Sequence, residues 1–194
     1  MDKNREILED NVRYTFMSVV WSHKIQEKEA DLLNKKFKCY ETIRIVYSSL
    51  TSIGLISLIF VDEFWVKLIS TFISFVSVCI SMFFKSFEVR NNILRHKKTA
   101  VDLLVLRNKF RLLLLEIKMN NTNTEELVQK YEELERELGE VYKEAPNTSD
   151  KAVEIASNAL KFNKDNEFGD EEIDCNLPIS LQRRSFDNNE SKEI

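Results

Sequence analysis

Hydrophobic positions along the chain fall into distinct regimes. Over residues 5–41 they recur as Ile7/Leu8, Val12, Phe16, Val19/Val20, Ile25, Leu32/Leu33 and Phe37, with charged residues between them. Residues three and four apart share a helix face, so this spacing predicts one long amphipathic helix. Two uncharged runs follow, Ile45–Val61 and Leu68–Phe84, seventeen residues each, separated by Asp62–Lys67. As a helix each run reaches about 25 Å, against a bilayer hydrocarbon core of about 30 Å. Thr42, Ile43, Phe64, Trp65 and Val66 extend that reach, and Trp65 stands where an interfacial anchor belongs. A soluble helix of this length would carry a charged face, and these runs carry none. The pattern predicts two membrane spans, about 43–61 and 64–84, rather than two buried helices of a soluble bundle. The connection is so short that the spans must form a hairpin with both ends on one side.

Beyond the hairpin, residues 85–118 predict a second long helix, running on from the second span. Its apolar positions are Ile93/Leu94, Val101, Leu104/Val105 and Phe110 through Leu115. Asn120–Asn123 predicts a break, and Thr124 is expected to cap a third helix. In that helix Leu127, Tyr131, Leu134, Leu138 and Val141 follow spacings of 4, 3, 4 and 3, a heptad seam. Such a seam can pair with another chain or fold back on the first two helices. Ala145-Pro146-Asn147 ends it, and Ser149 or Asp150 is expected to cap a short helix through Leu160. From about residue 163 the composition predicts disorder. The fold class is therefore an all-α membrane protein: a two-span transmembrane helical hairpin with long cytoplasmic helices forming a bundle or coiled coil. Its regions are 1–44 (N-terminal amphipathic helix), 45–84 (hairpin), 85–162 (cytoplasmic helices) and 163–194 (acidic tail).

Composition narrows the function classes. The chain has three Gly and two Pro, where average usage would give roughly 13 and 10. Turn-rich β folds are excluded. With Gly only at 54, 139 and 169, so are glycine-rich phosphate loops. Two His and scattered Cys39, Cys79 and Cys175 predict no disulfide framework, no metal site and no cofactor. No nucleophile–base pair presents itself, so no enzyme is expected.

The net charge of −4 hides a gradient: +1 over residues 1–44, −1 over 45–84, +6 over 85–119 and −10 over 120–194. Lys35, Lys36, Lys38 and Arg44 precede the first span. Lys85, Arg90, Arg95, Lys97 and Lys98 follow the second, whereas the hairpin tip holds Asp62, Glu63 and Lys67. The positive-inside rule then places both termini on the cytoplasmic side. The opening residues MDKNREILED lack the apolar core of a signal peptide, which agrees with that topology. The basic segment abuts a membrane exit and lacks aromatic interleaving, so it predicts contact with anionic head groups rather than nucleic acid.

Two constellations stand out. Ser70, Ser74, Ser77 and Ser81 fall within one arc of about 60° on the second span. Such a face either packs closely against the partner span or lines a hydroxyl-rich pore. The second is Trp21-Ser22-His23-Lys24-Ile25-Gln26-Glu27-Lys28-Glu29-Ala30-Asp31. There His23, Glu27 and Asp31 share a face at i, i+4, i+8, an open metal geometry on paper or a charged helix surface.

This signature, followed by two spans, a long helix, Tyr131-Glu132-Glu133-Leu134 and Tyr142-Lys143-Glu144-Ala145-Pro146, resembles the SLATT domain over about residues 5–162. That family comprises two-transmembrane effectors of bacterial nucleotide-signalling conflict systems. The resemblance implies a membrane effector of antiviral defence or abortive infection that oligomerises and breaches the bilayer when triggered. Its implied partners are the lipid bilayer, further copies of itself and a sensor or nucleotide-signalling protein. Trp21, His23, Lys24, Glu27 and Asp31 match the signature without a catalytic role. A non-conducting two-span scaffold whose cytoplasmic helices dock a partner protein is the alternative.

Overall fold

The computed structural model describes residues 3–60, 63–83, 87–165 and 168–182. The side chains at 55, 57–60, 80, 81, 83, 87 and 179 also lie outside the description. Every regular element among these residues is helical: α1 (Lys3–Phe60), α2 (Phe64–Phe83), α3 (Phe87–Met119), α4 (Thr124–Glu144), α5 (Asp150–Lys161), α6 (Asp170–Asn176) and a 3₁₀ turn, Ile179–Leu181.

The amphipathic segment and the first uncharged run are one continuous helix, α1, of 58 residues. Nothing in the sequence between them breaks a helix, since its first glycine is Gly54 and its first proline Pro146. α2 folds back along the C-terminal third of α1. The two approach closely at Gly54, where an added Cβ would meet the Ser70 Oγ at 3.1 Å. The Ser70 hydroxyl donates to the Gly54 carbonyl at 3.5 Å. Among the described residues, no helix is long and apolar enough to cross a membrane. Both uncharged runs, 45–61 and 68–84, extend into positions outside the description.

α3 returns along the N-terminal part of α1, antiparallel to it, and α4 runs parallel to α1. The register of α1 against α4 is constant. Thr15 meets Glu135 and Ser22 meets Tyr142, and the same offset of 120 residues continues past the end of α4, where Gln26 meets Pro146 and Glu29 meets Ser149. Two parallel α-helices with the same rise per residue keep one offset along their contact. The three helices close a core of Leu8, Val12 and Val19 from α1; Leu103, Leu106, Phe110, Leu113 and Ile117 from α3; and Leu127, Leu134 and Leu138 from α4. The heptad seam of α4 is therefore consumed inside the chain, with Tyr131 and Val141 packed on the same core.

The helix ends explain the connections. Asn120 adopts φ 55°, the left-handed conformation that asparagine tolerates just past a helix C-terminus. The buried Arg5 guanidinium donates to the carbonyls of Glu116, Ile117 and Thr122 at 2.7–3.2 Å. It thus satisfies orphan acceptors at the negative end of α3. The N-cap of α4 is Asn123, not Thr124: its backbone is extended and its side chain accepts from Glu125 N, while Thr124 is the first helical residue. Ser149 caps α5, its hydroxyl accepting from Ala152 N at 3.3 Å. Contacts divide the chain into two compact units, 1–156 and 157–194. The second unit carries α6 inside the stretch where composition predicts disorder. Its Gln182 side chain donates to Asp174 and Leu177 carbonyls, closing the turn after that helix. Residues 183–194 lie outside the description.

Candidate functional site: the polar core of the signature helix

The buried stripe of α1 does not stop where its apolar residues do. Leu8, Val12, Thr15, Val19, His23, Gln26 and Ala30 are all buried, and their spacings of 4, 3, 4, 4, 3 and 4 keep one face. Polar residues therefore occupy core positions in the signature segment. On α3 the facing residues are His96 and Thr99, both buried.

His96 Nδ1 lies 2.6 Å from Gln26 Oε1, and Gln26 Nε2 donates to the Pro146 carbonyl at 3.2 Å. That second bond fixes which end of the amide faces the histidine. Oε1 can only accept, so Nδ1 carries the proton of neutral His96. One residue chain thus ties α1, α3 and the segment after α4. Three positions on, the buried Glu29 carboxylate accepts from both the amide (2.9 Å) and the hydroxyl (2.6 Å) of Ser149. A negative charge at the N-terminus of α5 is favoured by the helix dipole. The Ala-Pro segment and the signature helix are far apart in sequence and form one docking joint.

His23 occupies the next turn toward the N-terminus. Its Nδ1 is buried without a hydrogen-bond partner among the described residues. Burial pushes its pKa down from the ordinary value, and the nearby Arg107 and Lys24 add to this against Glu27. Burial also lowers His96, with Glu29 opposing and Arg95 assisting. Arg107 is itself lowered, chiefly by burial and by Arg111.

The sign of the pH dependence follows. Both histidines hold native pKa values below the usual ~6.5, so the unfolded chain binds more protons than the native one in mild acid. Their contribution to stability is complete above about pH 6.5 and is lost as pH falls from there toward the native values. Urea midpoints of the full chain in detergent are expected to fall from pH 7.5 to pH 5, with His23→Gln removing about half of that slope. An unchanged slope in the variant would place the titrating groups elsewhere.

The remaining sequence-selected residues are distributed as follows. Trp21 is half-buried, Glu27 accepts from Lys24 at 3.3 Å, and Asp31 is exposed. The face His23–Glu27–Asp31 therefore does not converge; the converging set is Gln26 and Glu29 with His96 and Ser149. Among the described residues no group of three His, Cys, Asp or Glu side chains could hold a metal ion. Ser70 is buried against Gly54, and Ser74 and Ser77 are half-buried. The Ser81 side chain and Lys85 lie outside the description. Arg44 pairs with Glu41 at 2.9 Å. Arg90 and Lys97 are exposed, whereas Arg95 and Lys98 line a groove opposite Glu140 and Glu144 of α4. Sequence reasoning does not single out Gln26, Glu29 or His96 as site residues, and it marks Ser149 only as a helix cap. The signal for Gln26 is the 4-3 spacing continued through polar residues to Ala30, a lone small residue amid charges; Glu29 and Ser149 lie outside that spacing.

A helical hairpin with an apolar outer surface, joined by one unbroken helix to a three-helix bundle, defines an all-helical scaffold. The chain belongs to the SMODS and SLOG-associating 2TM effector domain family 4, whose family model matches residues 8–172, from α1 into the first turn of α6. Comparison with curated proteins and with solved structures gives no match.

Proposed function

We propose that the chain is a membrane-embedded effector that assembles with further copies of itself and permeabilises the bacterial inner membrane in antiviral defence or abortive infection. Membership of a family described as two-transmembrane effectors supports this reading. The observation that carries it is the outer surface of the hairpin. Phe64, Trp65, Leu68, Phe72, Phe75 and Met82 of α2 are 50–74% exposed, alongside Ile45, Val46, Ile53 and Ile56 of α1. Apolar patches beyond a few hundred Å² are rare on soluble monomers and mark interaction surfaces, and lipid is the solvent that a two-sided aromatic and aliphatic surface fits. The basic flanks support a cytoplasmic side for the bundle. The proposed activity needs no catalysis. A sensor or nucleotide-signalling protein supplies the trigger by binding one state of the bundle better than the other.

Membrane potential in bacteria expressing the chain, with and without its neighbouring genes, tests this. Depolarisation with growth arrest is expected, and Ser74→Leu/Ser77→Leu is expected to abolish it if that face lines water. A membrane that stays polarised in every condition, with the protein resisting carbonate extraction, would favour the scaffold instead.

A further inference from the structure

α3 has two apolar faces. One closes the core. The other points away from it: Leu94, Val101, Val105, Leu112, Leu115 and Met119 are 44–65% exposed. At 100° per residue these six fall within an arc of about 80°, opposite Leu103 and Phe110, and the stripe runs about 38 Å. Their spacings of 7, 4, 7, 3 and 4 are those of a heptad seam with Lys98 and Asn108 at the two vacant positions. The comparable seam of α4 is buried within the chain, so the stripe of α3 is a second one, without an occupant among the described residues.

We infer that this stripe receives a second copy of the chain, α3 lying parallel and in register against α3. This inference rests on the membrane reading, because copies inserted with one topology present α3 in one direction. Charge supports the same register. In a parallel pair the positions flanking the seam meet the other copy five residues on. Lys97 then faces Asp102 and Arg111 faces Glu116, opposite charges in both, and Leu104 faces Lys109. Arg90 against Arg95, one turn nearer the hairpin, is like-charged. The polar seam positions suit a register-setting role, since a Lys or Asn in such a seam costs stability and fixes alignment. Each Lys98 brings its own counter-charge, with Glu144 at 3.5 Å.

Cysteine cross-linking of the full chain in native membranes tests the pairing. With Cys39, Cys79 and Cys175 changed to Ser, Val105→Cys and Leu112→Cys are made singly and oxidised with copper phenanthroline. Both are expected to give a disulfide-linked dimer, because each cysteine meets its own counterpart. Gln129→Cys, exposed on α4, is expected to give none. Val105→Glu/Leu112→Glu is expected to leave the helical content and thermal midpoint in place, since both positions are exposed, and to abolish cross-linking through Leu115→Cys. Absence of dimer at 105 and 112, equal dimer at 129, or undiminished cross-linking in the double Glu variant would each overturn the inference. The two readings separate cleanly. Cross-links at 105 and 112 in cells that stay polarised leave the seam standing and remove permeabilisation. Absence of dimer at 105 and 112 in cells that still depolarise removes the seam and leaves the effector.

Discussion

Phe110→Ala is expected to lower the unfolding free energy of the bundle by about 3–5 kcal/mol, the usual cost of an aromatic deletion in a well-packed core. Phe110 has no exposed surface and sits where α3 meets both other helices of the bundle. Its ring stands edge-on to Tyr131 at 6.4 Å, and the Tyr131 hydroxyl is in turn 3.0 Å from the Thr15 hydroxyl of α1. Removing the ring leaves a cavity that stiff helices cannot collapse into, and frees Tyr131 from one of its constraints. Domains hold about 5–15 kcal/mol in total, so the variant should be marginal. The control lies two residues away on the opposite face. Leu112→Ala, exposed, is expected to change the monomer's stability by less than about 0.5 kcal/mol. Urea unfolding in detergent, followed by far-UV circular dichroism at a concentration that keeps the chain monomeric, measures both. Equal losses at 110 and 112 would mean that the inner and outer faces of α3 are wrongly assigned.

The contrast between those two positions shows what the chain discloses before folding and what it does not. The helices are legible because runs such as Leu127–Val141 repeat at 3.5-residue spacing, and the breaks are legible because Asn120–Asn123 and Ala145–Pro146 offer the local chemistry that ends helices. Thr124 illustrates the limit of boundary reading: two adjacent residues can each cap, and only the extended backbone at Asn123 decides between them. Which seam faces inward was not legible. α3 and α4 both show apolar stripes, and α3 shows two, at 94–119 and 93–117. Periodicity counts faces without saying which neighbour covers each. The site was half legible. The signature stretch stood out by its density of charge, yet a reading built on His23, Glu27 and Asp31 follows one helix face, and the buried face runs through His23, Gln26 and Ala30. Burial of Gln26 and Glu29 depends on Pro146 and Ser149, about 120 residues away, whose carbonyl and amide satisfy them. No local pattern encodes that pairing.

Glu29→Ala is expected to undock the segment from Pro146 into α5. The buried carboxylate takes two hydrogen bonds from Ser149, one of them at 2.6 Å, and bonds to a charged acceptor contribute roughly 1.5–3 kcal/mol each before coupling between them is counted. A net local loss of about 2–3 kcal/mol corresponds to roughly 30- to 150-fold more opening of the segment. Hydrogen exchange over residues 145–156 should accelerate by that factor while the amides of α3 around Phe110 keep their protection, because the hydrophobic core is untouched. Uniform acceleration across the bundle would make Glu29 part of the global core, and no change at 145–156 would remove it from the joint. A second consequence has an independent readout. Glu29 favours the charged form of His96, so its loss should push the His96 pKa further down, visible as a shifted titration of the imidazole resonance. The joint matters because of where α1 leads. The helix that carries His23, Gln26 and Glu29 continues without interruption to residue 60 in the hairpin. A ligand or partner that loosened the Gln26–Pro146 and Glu29–Ser149 contacts would therefore act on one end of the rod whose other end lies, under the proposed function, in the bilayer.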